Sequence, residues 1–151
     1  MATEDNLKAA FAGESQANRK YTAFARKAEQ EGLKQVAKLF RAAAESETVH
    51  ALNHLNVLRE VKSTEENLKA AVEGETYENS EMYPAFIKEA EKENNQAAVI
   101  SFSGANATEK IHAQYYKEAL EAVEKGSDLQ PEDYFVCQVC GYAADGEAPD
   151  N

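Results

Sequence analysis

Two Glu-x-x-His pairs recur along this chain: Glu47 with His50, and Glu109 with His112. Residues three apart on a helix project from one face, so each pair can chelate one ion through a carboxylate and an imidazole. Two more glutamates stand at a related spacing, Glu14 after Gly13 and Glu75 after Gly74. Glu78 adds a fifth carboxylate. Burying unpaired carboxylates costs at least several kcal/mol each, on the order of what an ion pair must recover. Positive charge is therefore required where they meet, and a divalent metal would supply it.

The elements that must position these residues are helices. A first helical segment is predicted from Glu4 to Glu31, with Thr3 as N-cap and Gly32 at the C′ position. A second runs from Leu33 to Val61. A third runs from Thr64 to Asn94, behind the capping-box signature Ser63-x-x-Glu66. A fourth runs from Gln96 to Lys125, closed by Gly126. Their stripes at helical spacing read Leu7, Phe11, Glu14, Asn18, Tyr21, Ala25; then Val36, Phe40, Ala43, Glu47, His50, His54, Val57, Val61; then Leu68, Ala71, Glu75, Glu78, Met82, Phe86; then Val99, Phe102, Ala105, Glu109, His112, Tyr116, Leu120. Each is the face a bundle buries, and each is interrupted mid-way by glutamate. No lysine or arginine shares these stripes. One Glu from each of two helices, with Glu-x-x-His from each of the other two, is the donor set of di-iron and di-manganese carboxylate bundles.

The chain is also an internal repeat. Glu14 matches Glu75 at an offset of 61, whereas Tyr21 matches Tyr83, Phe24 matches Phe86, Glu47 matches Glu109 and His50 matches His112 at 62. The third helix therefore holds one extra residue between Glu75 and Tyr83. A single inserted residue is commonly absorbed as a π-bulge, and such bulges cluster at functional sites. Pro84, just beyond, also disturbs the local hydrogen bonding. Glu78 lies in the shifted stretch, opposite Ala17 or Gln16, and has no symmetric partner. His54 matches Tyr116 and is read as packing or an outer contact. Tyr77, Met82 and Tyr115 are read as packing.

Composition excludes several classes. At 151 residues the chain is one domain, or one with a small appendage. Twenty-two glutamates against five aspartates favour helix. A net charge of −11 argues against nucleic acid and anionic membranes as partners. The apolar runs are too short to span a membrane, and the N-terminus lacks the pattern of a secretory signal. A cytoplasmic location is expected. Two cysteines make no disulfide scaffold, and Cys137-x-x-Cys140 suggests metal or redox use.

The motifs Ala12-Gly13-Glu14-Ser15-Gln16-Ala17-Asn18, Glu47-x-x-His50, Gly74-Glu75-x-x-Glu78 followed by Glu81-Met82-Tyr83-Pro84, and Glu109-x-x-His112 fall in order. Together they closely resemble the rubrerythrin family, over the whole chain. The resemblance implies a ferritin-like four-helix bundle with two iron ions, although sequence does not distinguish iron from manganese or zinc. It implies Glu14, Glu47, His50, Glu75, Glu78, Glu109 and His112 as the seven ligands. One iron would exchange Glu78 for His50 on reduction. Tyr21 and Tyr83 resemble the family's tyrosines that hydrogen-bond ligand carboxylates. The implied activity is an NADH-linked peroxidase: reduction of hydrogen peroxide to water in oxidative-stress defence, with electrons from rubredoxin or a similar donor and no protein nucleophile. Alternatives are a ferroxidase or iron-handling ferritin relative, which lacks the seventh ligand, and a metal-stabilised module without enzymatic activity.

The expected organisation is a bundle over 1–126, a linker over 127–133 and a partial rubredoxin-like knuckle over 134–151. Cys137-Gln138-Val139-Cys140-Gly141-Tyr142 resembles the first half of a rubredoxin site, a possible second metal site at Cys137 and Cys140. Two thiolates do not fill a tetrahedral site, so rubredoxin-type iron requires a second cysteine pair. A truncated chain, pairing across chains and free thiols are the alternatives, with truncation favoured. A ferritin-like crossover after the second helix must cover about 30 Å at about 1.5 Å per helical residue. Two or three loop residues reach only about 10 Å. A homodimer by helix exchange is therefore expected.

Overall fold

The structure, a computed structural model, describes residues 1–146. The end of the expected 134–151 segment, residues 147–151, lies outside the described residues. The chain forms two compact units, Met1–Lys62 and Ser63–Asn151.

The first unit is a helical hairpin of α1 (Ala2–Gln30) and α2 (Lys34–Leu58). Its seam is made of small residues: Ala25 and Ala28 from α1, and Ala37, Ala44 and Ala51 from α2, are its buried apolar side chains. The α2 alanines recur every seven residues, a coiled-coil seam that lets two backbones approach closely. The turn is a Schellman motif. Gly32 takes φ +79, its N–H donates to Glu29 O at 3.0 Å, and Leu33 N–H donates to Ala28 O at 2.8 Å.

Two sequence expectations need correction here. Helix α1 starts at Ala2, with Met1 at the N-cap and no side-chain cap, so Thr3 lies inside the helix. The Met1 amine lies 3.9 Å from Glu4 and 4.0 Å from Asp5, so first-turn carboxylates neighbour the helix start in place of a hydroxyl cap. Helix α2 ends at Leu58, short of Val61, because Arg59 turns left-handed with φ 56.

The second unit opens with α3 (Thr64–Tyr77). Its capping box is complete: Ser63 Oγ accepts from Glu66 N–H at 3.3 Å, and Ser63 N–H donates to Glu66 Oε2 at 3.2 Å. A π-helical segment, Glu78–Met82, follows, and then α4 (Tyr83–Lys92) with Pro84 in its first turn. The extra residue is thus absorbed as the repeat offsets require. Helix α5 (Gln96–Glu124) packs against all three. Asn94 at φ 56 and Gly126 at φ +74 end α4 and α5.

Residues 127–133 carry no helix or strand. A two-stranded antiparallel hairpin follows, β1 (Tyr134–Val136) against β2 (Ala143–Asp145), with Tyr134 paired to Asp145. It rests on α5 through Tyr115, whose hydroxyl donates to Asp145 Oδ1 at 2.9 Å. The Tyr115 ring meets Tyr134 edge-on at 5.9 Å, and Ala143 is buried. Among the described residues, no helix is long and apolar enough to cross a membrane.

Candidate metal centre

Each unit brings three of the expected ligands together. In the first, Glu14 from α1 and Glu47 and His50 from α2 place one ligand atom each within 4.8 Å of one another. In the second, Glu75 from α3 and Glu109 and His112 from α5 do the same. The internal geometry repeats as well. His50 Nδ1 lies 2.9 Å from Glu47 Oε2, and His112 Nδ1 lies 2.8 Å from Glu109 Oε2. Glu75 Oε1 is a further 3.7 Å contact of His112 Nδ1. The carboxylates are mostly sheltered, with Glu47 at 17% and Glu109 at 15% side-chain exposure, while His50 remains 51% exposed.

Electrostatics mark the second cluster as short of positive charge. Burial pushes the Glu75 carboxyl up to about 7, and the hydrogen-bonded Glu109 carboxylate beside it pushes the same way. The nearby His112 opposes that shift and the Glu78 charge adds to it. A divalent cation among these oxygens would relieve the repulsion, so the donor set fits a metal. Glu78 itself occupies the first position of the π segment. It is not one of the three atoms of the compact cluster, but its charge reaches both Glu75 and Tyr83.

The two expected tyrosines occupy equivalent aromatic clusters. Tyr21 contacts Phe24 and Phe40 at 6.3 and 6.2 Å between ring centroids. Tyr83 contacts Phe86 and Phe102 at 6.3 and 6.2 Å. Burial holds the Tyr83 hydroxyl above its ordinary range, with the Glu109, Glu78 and Glu75 charges adding to the effect. A proton on Tyr83 is therefore held tightly beside the carboxylates.

A second symmetric pair had no assigned role in the sequence reading. Asn18 Nδ2 donates to Ala44 O and to Thr48 Oγ1, both at 2.7 Å. Asn79 Nδ2 donates to Asn106 O at 2.8 Å and Asn106 Oδ1 at 3.1 Å. Each amide ties the helix bearing the lone glutamate to the helix bearing the Glu-x-x-His pair. The signal was available, since Asn18 and Asn79 share the 61-residue offset of Glu14 and Glu75. That match also narrows the inserted residue to the stretch between Asn79 and Tyr83, within the π segment.

Cys137 and Cys140 are both exposed and free. The Cys137 thiol is lowered by hydrogen bonds from the backbone N–H groups of Cys140 and Val139 and from the Cys140 side chain. Gly141 N–H donates to Cys137 O at 2.9 Å, closing the turn around the sulfur. Backbone donors aimed at a thiolate suit a knuckle that presents sulfur to a cation.

Comparison with known proteins decides the family. The rubrerythrin family model matches residues 5–120. The chain belongs to the rubrerythrin family. It is 38% identical to nigerythrin of Nitratidesulfovibrio vulgaris, across 97% of this chain and 78% of that protein. It is 37% identical to a rubrerythrin of Porphyromonas gingivalis, across 93% of this chain and 78% of that one. A putative rubrerythrin of Methanocaldococcus jannaschii is 34% identical, across 97% and 84%. Among solved structures, fully reduced, all-ferrous nigerythrin aligns with TM-score 0.54 at 37% identity, covering 96% of this chain and 77% of that one. Mixed-valence nigerythrin aligns with TM-score 0.53 at 38% identity. The fold class is the all-α, ferritin-like helical fold that the family resemblance implied.

Proposed function

We propose that this rubrerythrin is a di-iron peroxidase that reduces hydrogen peroxide to water, with Glu14, Glu47, His50, Glu75, Glu78, Glu109 and His112 as metal ligands. The observation that carries the reading is the pair of repeat-related clusters, each with two carboxylates and one imidazole within 4.8 Å. A bound iron pair supplies the two electrons that cleave the O–O bond. The chain's residues do the rest. Glu14 and Glu75 would each supply a carboxylate to the metal. The imidazoles of His50 and His112 donate without adding charge. Glu78 would be the anionic ligand that the higher charge of an oxidised metal pair favours, and His50 the neutral one that the reduced pair favours. Tyr21 and Tyr83 orient ligand carboxylates, and glutamates hold the protons that peroxide oxygens need on leaving as water.

The reading includes a homodimer formed by helix exchange. Five residues, 59–63, link α2 to α3 and reach about 17 Å at full extension. From the level of His50 to Leu58, and again from Thr64 to Glu75, a ferritin-like crossover needs about 28 Å. Apolar side chains on the ligand-bearing stripes support a further helix pair seated there: Val36 is 40% exposed, Val57 65% and Phe86 45%. Electrons are expected from a rubredoxin-type donor, ultimately from NADH. Cys137 and Cys140 are proposed as half of a rubredoxin-like iron site.

Stopped-flow absorbance of the anaerobically reduced, iron-loaded protein tests the activity. Fast reoxidation by peroxide with slow reaction towards oxygen is expected. Faster reaction with oxygen, with iron accumulating beyond two per site, would establish the ferroxidase instead.

A further inference from the structure

Charge is divided unevenly between the two halves of the chain. Residues 1–62 contain ten lysines and arginines against eight acids, whereas residues 63–151 contain six against nineteen. Within the basic half, three of the chain's four arginines line one cleft. Its walls are Asn18, Arg19, Thr22 and Arg26 from α1, with Arg41, Ala44, Glu45 and Thr48 from α2, and its volume is about 430 Å³. At 3.6 residues per turn, Arg19 and Arg26 lie roughly 120–140° around α1 from Glu14, and Arg41 lies roughly 120–180° around α2 from Glu47 and His50, whereas Asn18 is only about 40° from Glu14. The three arginines thus leave the helices away from the metal-ligand positions, with Asn18 at the edge of the cleft nearest to them.

Three guanidinium groups lining one cleft attract an anionic occupant. Two of the guanidinium groups are held in place. Arg19 Nε donates to Asn18 Oδ1 at 2.8 Å, and Asn18 is itself tied across to α2. Arg41 pairs with Glu29 across the hairpin. Arg26 has no hydrogen-bond or ion-pair partner among the described residues, which leaves all five of its donors available. We propose that this cleft binds a phosphoryl group, gripped by Arg26 with Arg19 and Arg41 alongside. Three guanidinium groups less Glu45 and the Glu29 that pairs with Arg41 leave a formal +1, which attracts a phosphoryl group at about −1.5 to −2. The planar fork of arginine matches phosphate oxygens in pairs. The volume lies within the roughly 300–1,000 Å³ typical of small-ligand clefts, so a phosphate ester fits as well as the free ion.

The experiment is calorimetric titration of the iron-loaded full chain with inorganic phosphate, and separately with adenosine monophosphate, at constant ionic strength. One-to-one binding of at least one of them is expected. Arg26→Gln and Arg41→Gln should each weaken it by about tenfold, the loss of one charge-assisted hydrogen bond. Arg59→Gln, the arginine outside the cleft, should leave it unchanged. Tighter binding of the monophosphate identifies an ester as the ligand, and equal binding identifies the free ion. Binding that survives both cleft substitutions places phosphate on the iron and overturns the proposal, as does no binding. Salt-sensitive self-association that is lost in Arg26→Gln, without phosphate binding, would make the cleft a protein-docking surface and overturn it equally.

Discussion

Deleting Ser80 tests whether the π segment is what sets Glu78 and Glu75 in place. Ser80 is exposed, lies inside Glu78–Met82 and belongs to neither ligand cluster. Its removal returns the third helix to regular winding. Everything beyond the deletion turns by about 100° relative to what precedes it and draws in by about 1.5 Å. Side-chain heads at about 5–6 Å from the axis would then move by about 8 Å. Two sets of contacts compete for the rotation. Upstream, Asn79 is tied to Asn106 and Glu75 sits against Glu109 and His112. Downstream, Tyr83 and Phe86 stack with Phe102, and Ala90 is buried. Both cannot be kept. If the aromatic stack holds, Glu75 and Glu78 leave the cluster; if Asn79 holds, Tyr83 leaves it. Ferrous ion affinity by anaerobic calorimetry should fall by more than about 10–100-fold, the loss seen for an outer-sphere partner alone. Helix content by circular dichroism should stay near that of a Ser80→Ala control. A deletion variant that binds iron within about twofold of the control, with peroxide reactivity intact, would refute the positional role of the bulge.

Further outcomes follow from the same geometry. Because the Glu75 carboxyl is raised to about 7 from an ordinary 4.5, the metal-free folded state holds a proton that the unfolded chain releases. Its contribution to stability is therefore full below pH 4.5 and lost as pH rises through about 7, and thermal melts of metal-free protein should show that fall while Glu75→Gln flattens it. Metal must displace the same proton, so iron affinity should weaken as pH drops below about 7, and pH-independent binding between 5 and 7 would contradict this. Asn18→Ala and Asn79→Ala should each cost about 1–2 kcal/mol and lower Tm by a few degrees at about 2–4 °C per kcal/mol. An unchanged Tm would show that these amides do not tie the helices. Tyr115→Ala removes both the Asp145 hydrogen bond and the Tyr134 stack, so amide exchange in Tyr134–Asp145 should quicken with iron in the Glu/His centre unchanged.

Much of this was legible because it is local or periodic. The ligand stripes follow from helical spacing, and the inserted residue follows from a change in repeat offset. Gly32, Gly126 and the Ser63–Glu66 capping box are short-range signals, and all three appear where expected. Thr3 misled because a hydroxyl near a chain end is a cap only if the helix starts after it, and this helix runs out to Ala2. Arg59 gave no warning, since an arginine in the left-handed region has none of glycine's or asparagine's signature. Non-local contacts lay out of reach for a different reason. Asn79 meeting Asn106, Tyr115 meeting Asp145, and Arg41 joining Arg19 and Arg26 all depend on how two elements register side by side. Helical period fixes which face a residue occupies but not its height against a neighbouring helix.

Anomalous diffraction at the iron edge from crystals of the iron-loaded protein tests the central claim most directly. The account predicts two iron peaks roughly 3.5–4 Å apart. One cluster of Glu14, Glu47 and His50 and one of Glu75, Glu109 and His112 should contribute to the same pair, with Glu78 in reach. Two peaks much farther apart, each held by one cluster alone, or peaks away from these residues, would contradict it.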